Sequence, residues 1–76
     1  KEVPARLAGY LVYAVEEQKG GTVLELSISK GQLASLLGTI PETLSRIFAK
    51  MSDEGLIRVD GKRIEILNMD GLIMKK

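Results

Sequence analysis

The most informative part of the sequence is residues 29–55, which read SKGQLASLLGTIPETLSRIFAKMSDEG. Ser29 and Gln32 form the S-x-x-Q pattern of a capping box, in which each side chain satisfies a free backbone N–H group at the start of a helix. A short helix should follow, and Gly38 stands where a left-handed residue would end it. The predicted buried side of this helix is Leu33, Ala34, Leu36 and Leu37.

A second helix is predicted from Pro41 to about Asp53, because proline is well suited to the first helical position. Its apolar residues follow the i, i+3, i+4, i+7 spacing of a buried helix face, and Gly55 ends it. These apolar residues are Leu44, Ile47, Phe48 and Met51. The same spacing recurs on the opposite side, with the mostly polar set Glu42, Ser45, Arg46 and Ala49.

Upstream of these helices, another amphipathic helix is predicted from Pro4, at its first position, to about Gln18–Lys19, before the breaker Gly20-Gly21. Its apolar stripe is Leu7, Ala8, Leu11, Val12 and Val15. Residues 23–28 are apolar with polar interruptions at positions 25 and 27 and predict a short strand.

Downstream of Gly55, residues 56–59 and 62–66 predict two strands joined by Asp60-Gly61, a strong signal for a two-residue hairpin loop. Residues 68–76 are expected to add a last helical turn that packs Leu72 and Ile73. A short helix, a glycine turn, a second helix and a hairpin together predict an α+β fold, a small winged helix-turn-helix domain with a three-helix core and a β-hairpin wing.

Length and composition exclude several classes of protein. The 76 residues suffice for one domain, residues 1–76, and the absence of cysteine and histidine removes thiolate sites and the commonest general base and zinc ligand. We therefore expect no catalytic or metal site. Apolar runs such as Leu11 to Val15 are too short to span a membrane, and no signal peptide is recognisable, so a cytoplasmic protein is expected. A start at Lys1 rather than methionine suggests a fragment of a longer chain.

The polar side of the second helix has the chemistry of base readout. Arginine can pair with guanine, a carboxylate can accept from cytosine, and serine can serve either kind of base, which makes Glu42, Ser45 and Arg46 candidate base contacts. Lys30, Lys50, Lys62 and Arg63 would suit phosphates. An alternative without any role in binding is equally open at this point. A charged helix face is often only solvated, and basic residues beside a hairpin turn often only protect a strand edge.

Residues 28–48 resemble the DNA-binding domain of bacterial transcription regulators of the Crp/Fnr family, and the string L-G-x-x-x-E-T-x-S-R carries most of the likeness. Residues 54–62 resemble the wing of that family, and residues 6–11 resemble the helix that leads into the domain. The resemblance implies base contacts by Glu42 and Arg46. Ser45 is similar to the Fnr branch, and Pro41 stands where the cyclic-AMP receptor branch has an arginine, so an Fnr-like half-site containing TTGA is expected.

The resemblance also implies phosphate contacts, in this chain from Ser29, Lys30, Thr43 and Lys62. One departure is Ile40, since the family usually has serine or threonine before the recognition helix and isoleucine cannot cap. Either Thr39 substitutes with altered geometry, or a phosphate contact and some helix stability are lost.

The partners implied by the resemblance are double-stranded DNA and, as a candidate, RNA polymerase. The full-length protein should be a homodimer and this fragment a monomer that binds no cofactor, because the family's sensor domain and dimerisation helix are absent here. The signal and the direction of regulation are therefore open. The alternative function is a winged-helix protein-interaction module without base readout.

Overall fold

A computed structural model describes residues 2–76, so Lys1 of the predicted domain lies outside the described residues. Those residues form four helices and three strands. The elements are α1 (Val3–Glu17), β1 (Val23–Glu25), α2 (Lys30–Leu36), α3 (Pro41–Asp53), β2 (Ile57–Asp60), β3 (Arg63–Ile66) and α4 (Met69–Lys75). No helix within this part of the chain is long and apolar enough to cross a membrane.

The three strands form one antiparallel sheet in the order β1-β3-β2. The hairpin of β2 and β3 follows α3 directly, and β1 adds a third strand to it. The α+β winged helix-turn-helix architecture is thus confirmed. It is larger than the predicted three helices and hairpin, because β1 joins the wing and α4 packs against α1.

One core joins all seven elements. Every apolar residue of the predicted α1 stripe is buried, and each other element contributes at least one buried side chain. The largest fully buried side chains are Leu7, Leu11, Leu33, Leu44, Met51, Ile57, Ile64 and Leu72. Burial of this apolar surface is the main force that holds two short helices and three short strands together.

The first strand is shorter than the predicted range 23–28. Glu25 pairs with Arg63, the first residue of β3, and the last backbone bond runs from the Leu26 N–H to the Lys62 carbonyl, 2.8 Å. Past this point β3 offers no partner, because its chain turns back toward β2. The chain then enters the cap of α2 at Ser29.

The hairpin loop is shifted by one residue from the predicted Asp60-Gly61. Asp60 pairs with Arg63, so the two loop residues are Gly61 and Lys62. Gly61 has a φ of +62° and occupies the first central position, the arrangement typical of a type II′ turn. This register places Ile57 opposite Ile66 and keeps both side chains in the core.

Three smaller predictions were wrong, two about packing and one about the first residue of a helix. Leu36 is 65% exposed, because it lies about 100° around α2 from buried Leu37. Ile73 is 43% exposed, so α4 packs through Leu72 alone of the two predicted residues. Pro4 is the second helical residue rather than the first, since α1 begins at Val3.

Candidate nucleic-acid interface

The third helix has one face in the core and one in solvent. Leu44, Phe48 and Met51 are buried and Ile47 is half-buried, as the spacing predicted. Glu42, Ser45 and Arg46 all belong to the exposed side. A stable helix with a polar outer face is therefore displayed on the surface of the domain.

The turn between α2 and α3 is fixed by local hydrogen bonds at both ends of α2. At the start, the capping box is complete: the Gln32 N–H donates to Ser29 Oγ, and the Ser29 N–H donates to Gln32 Oε1, both at 3.0 Å. At the end, the Thr39 N–H donates to the Ala34 carbonyl at 2.8 Å, with Gly38 at a φ of +78°. This is a Schellman motif, which sets the direction in which the chain leaves α2.

A side chain of α1 also holds this turn. Arg6 Nη1 donates a 2.8 Å hydrogen bond to the carbonyl oxygen of Leu37, the residue that caps the C-terminus of α2. The guanidinium therefore satisfies a free carbonyl and lies at the negative end of a helix. Sequence reasoning missed this contact, because the two residues are 31 positions apart and no local pattern joins them.

The start of α3 carries no side-chain cap. Ile40 occupies the N-cap position and makes no side-chain hydrogen bond to the helix, so of the two outcomes predicted for this departure, loss of the cap describes the helix. The Leu44 N–H donates to the Ile40 carbonyl at 3.1 Å, which leaves the N–H groups of Glu42 and Thr43 without an acceptor inside the helix.

The predicted base-contacting side chains are not engaged elsewhere in the domain. Within residues 2–76, the ion pairs are Arg58–Glu65, at 3.2 Å, and Lys75–Glu54, at 3.0 Å. Neither involves Glu42 or Arg46. The carboxylate, the hydroxyl of Ser45 and the guanidinium are exposed together on the first half of α3, where a ligand can use all three.

The predicted phosphate contacts divide into two groups. Lys50 lies on the exposed side of α3, and Thr43 is half-buried near its start. Lys30 is half-buried, and its Nζ lies 5.6 Å from the centre of the Phe48 ring, so a cation–π contact links the start of α2 to α3. Ser29 is exposed, and its Oγ accepts the capping bond.

The second group lies on the wing. Lys62 is exposed in the hairpin loop, and Arg63 is on the solvent face of the sheet. The cross-strand neighbours of Arg63 are the carboxylate residues Glu25 and Asp60. Their charge offsets that of the guanidinium, so Lys62 is better suited than Arg63 to meet a phosphate.

Comparison with known proteins identifies the family. Residues 5–74 match the model of the Crp-like helix-turn-helix domain. The chain belongs to this family. The resemblance to Crp/Fnr regulators inferred from residues 28–48 is confirmed, and the family is one of DNA-binding transcription regulators rather than enzymes.

Individual relatives agree with this family assignment. The chain is 37% identical over 68 residues to the nitrogen fixation regulation protein FixK of Rhizobium meliloti, covering 88% of this chain and 32% of that protein. It is 34% identical over 70 residues to the probable transcriptional regulator flp of Lacticaseibacillus casei, covering 92% of this chain and 32% of that protein. The crystal structure of DNR from Pseudomonas aeruginosa superposes with a TM-score of 0.85 at 32% identity, covering 97% of this chain and 33% of that one. The chain thus spans about a third of the length of the curated relatives it matches.

Proposed function

We propose that this Crp-like domain binds double-stranded DNA sequence-specifically, with α3 in the major groove of an Fnr-like half-site that contains TTGA. The observation that carries the proposal is the outer face of α3, where Glu42, Ser45 and Arg46 are exposed and free of ion pairs within residues 2–76. An α-helix fits the major groove, and these side chains match base edges there. The choice of TTGA rests on Ser45, which matches the serine of the Fnr branch, and on Pro41, which replaces the arginine of the cyclic-AMP receptor branch.

Phosphate contacts would hold the domain in register. Lys50 on α3 and Lys62 on the wing are the exposed cations best suited to this role, with Ser29, Lys30 and Thr43 near the start of the two helices. Such contacts add affinity without sequence information. These base and phosphate contacts use hydrogen bonds and charge, so they need no cofactor or metal within this domain.

An NMR titration with a TTGA-containing duplex tests where the DNA binds. The amide signals of residues 42–49 and of the 60–63 turn should shift most. A random duplex of the same length serves as the control for nonspecific contacts. If the largest shifts fell on α1, or if no duplex caused shifts, the proposed interface would be wrong and a protein-interaction module would become the better description.

Two substitutions separate base readout from phosphate contact. Arg46→Ala should cost about 1–3 kcal/mol of binding free energy and relax the preference at one guanine. Lys62→Ala should weaken binding to all sequences similarly and reduce the salt slope by about 1. Arg58→Ala is the matched control, because Arg58 is paired with Glu65. Equal losses on specific and random DNA for Arg46→Ala would contradict base readout.

We extend the proposal to the whole protein of which this domain would be part. It would act as a homodimeric bacterial transcription regulator in the cytoplasm, with RNA polymerase as a candidate partner. Two linked domains would engage two half-sites about 34 Å apart. Linkage raises the effective concentration of the second domain, so it tightens binding without any new base contact.

A further inference from the structure

The end of α3 that would enter the groove first carries two neighbouring apolar side chains. Ile40 is 55% exposed, and Pro41 is also exposed. Serine or threonine at the N-cap position would satisfy a free N–H of the first turn, whereas Ile40 makes no such bond. At this position the domain thus carries an exposed apolar surface in place of a stabilising cap.

This apolar surface is continuous with the proposed base-reading face. Pro41 is the first residue of α3, and Glu42 follows it directly. In helix-turn-helix proteins, base contacts come from the N-terminal residues of the recognition helix. With Glu42 at a base edge, the neighbouring side chains of Ile40 and Pro41 would lie in or beside the same groove.

The chemistry of these two residues restricts what they can contact. Neither side chain can donate a hydrogen bond, and Pro41 lacks a backbone N–H as well, so the pair is poorly suited to phosphate oxygens and to most base edges. The major groove offers one apolar base substituent, the C5-methyl group of thymine. Contact between this methyl group and the two side chains would remove apolar surface of both the DNA and the protein from water, which is favourable.

We propose that Ile40 and Pro41 read thymine through its methyl group, as a specificity-determining contact of the half-site. This inference rests on the proposed function, because it requires α3 to lie in the major groove. It assigns part of the preference for thymine to burial of a methyl group rather than to a hydrogen bond.

The test removes the methyl group from the DNA instead of changing the base pair. In a TTGA-containing duplex, each thymine of both strands is replaced in turn by deoxyuridine, which keeps every hydrogen-bonding group. Binding is measured by fluorescence anisotropy with the whole 76-residue chain. The domain should lose about fourfold in affinity at one thymine or more, the equivalent of burying one CH₂-sized group.

Two variants link the lost methyl group to these residues. Ile40→Ser and Pro41→Ala should each reduce the deoxyuridine effect to less than about twofold, a threshold set below the effect of one CH₂ group. Ile40→Ser should fold at least as well as the parent, because serine can cap α3. The matched control is Leu36→Ser, which also replaces an exposed aliphatic side chain, 65% exposed, but lies on α2. It should leave the deoxyuridine effect unchanged.

The outcomes separate this inference from the proposed function. Specific binding to the TTGA duplex without loss at any deoxyuridine would overturn the methyl contact and leave the proposed function standing. Full methyl sensitivity in both Ile40→Ser and Pro41→Ala would do the same, since another side chain would then read the methyl group. Absence of specific binding to the unmodified duplex would overturn the proposed function and this inference together.

Discussion

Replacing Arg6 by methionine should lower the free energy of unfolding by about 2 kcal/mol. The substitution removes a hydrogen bond from a charged donor to the Leu37 carbonyl, 2.8 Å in length, and such bonds contribute about 1.5–3 kcal/mol. It also removes a cation from the C-terminus of α2, worth about 0.3–1 kcal/mol at an exposed site. Arg6 is an exposed residue, so the lower end of each range applies. Methionine keeps most of the apolar stem, which limits the change to these two terms.

The loss is large enough to measure in a domain of this size. Urea denaturation followed by far-UV circular dichroism should show a lower midpoint with an unchanged slope, the signature of a change in stability alone. The melting temperature should fall by roughly 8–16 °C, since 1 kcal/mol corresponds to about 4–8 °C in a domain of 60–100 residues. Arg58→Met is the control, because its exposed ion pair with Glu65 should contribute at most about 0.5 kcal/mol.

Gly38 provides an independent check on the same contact. A Cβ atom at this position would lie 3.1 Å from Arg6 Nη1, and the φ of +78° disfavours any other residue. Gly38→Ala should therefore disturb the Arg6 contact as well as strain the backbone. The two substitutions should be non-additive by about 0.5 kcal/mol or more. A loss below about 0.5 kcal/mol for Arg6→Met would refute the reasoning, because the hydrogen bond would then contribute nothing measurable. Strict additivity would instead mean that Gly38→Ala leaves the Arg6 contact in place.

Two further predictions concern packing and assembly. Leu72→Ala should cost about 2–5 kcal/mol in thermal or urea unfolding, because this residue of α4 is 0% exposed and truncation leaves a cavity; a cost below about 1 kcal/mol would mean that α4 does not belong to the core. In sedimentation experiments the chain alone should be a monomer, since the apolar stripe of α1 is buried in its own core. It should bind a single half-site in the micromolar range with strong salt dependence. A stable dimer without DNA would contradict the first expectation.

The two helices of the helix-turn-helix could be read from the sequence because their signals are local. The capping box of Ser29 and Gln32, the left-handed Gly38 and the apolar spacing of α3 each depend only on residues within one or two helical turns. The same is true of the outer face of α3, so Glu42, Ser45 and Arg46 were assigned to solvent correctly.

The features that the sequence did not predict depend on other parts of the chain. The length of β1 is set by where β3 turns away, and the loop at Gly61-Lys62 is set by the pairing of Ile57 with Ile66. The predicted loop Asp60-Gly61 and the observed loop Gly61-Lys62 both contain Gly61, so local turn chemistry alone could not distinguish them. The acidic neighbours of Arg63 follow from the sheet register in the same way. The contact of Arg6 with Leu37 requires knowledge of where α1 lies relative to the end of α2.

The attachment points of α1 have a mechanical consequence. Near its start, Arg6 holds the carbonyl of Leu37, and at its end Gln18 Nε2 donates to the Val23 carbonyl at 2.7 Å. Val23 belongs to β1, which pairs with β3 of the wing. A torque on α1 is therefore transmitted through its buried face in the common core and through these two hydrogen bonds, one leading to the helix-turn-helix and the other to the wing. The helix-turn-helix and the wing therefore move together with α1. A rotation of α1 changes the angle of the whole domain rather than the spacing between its recognition helix and its wing.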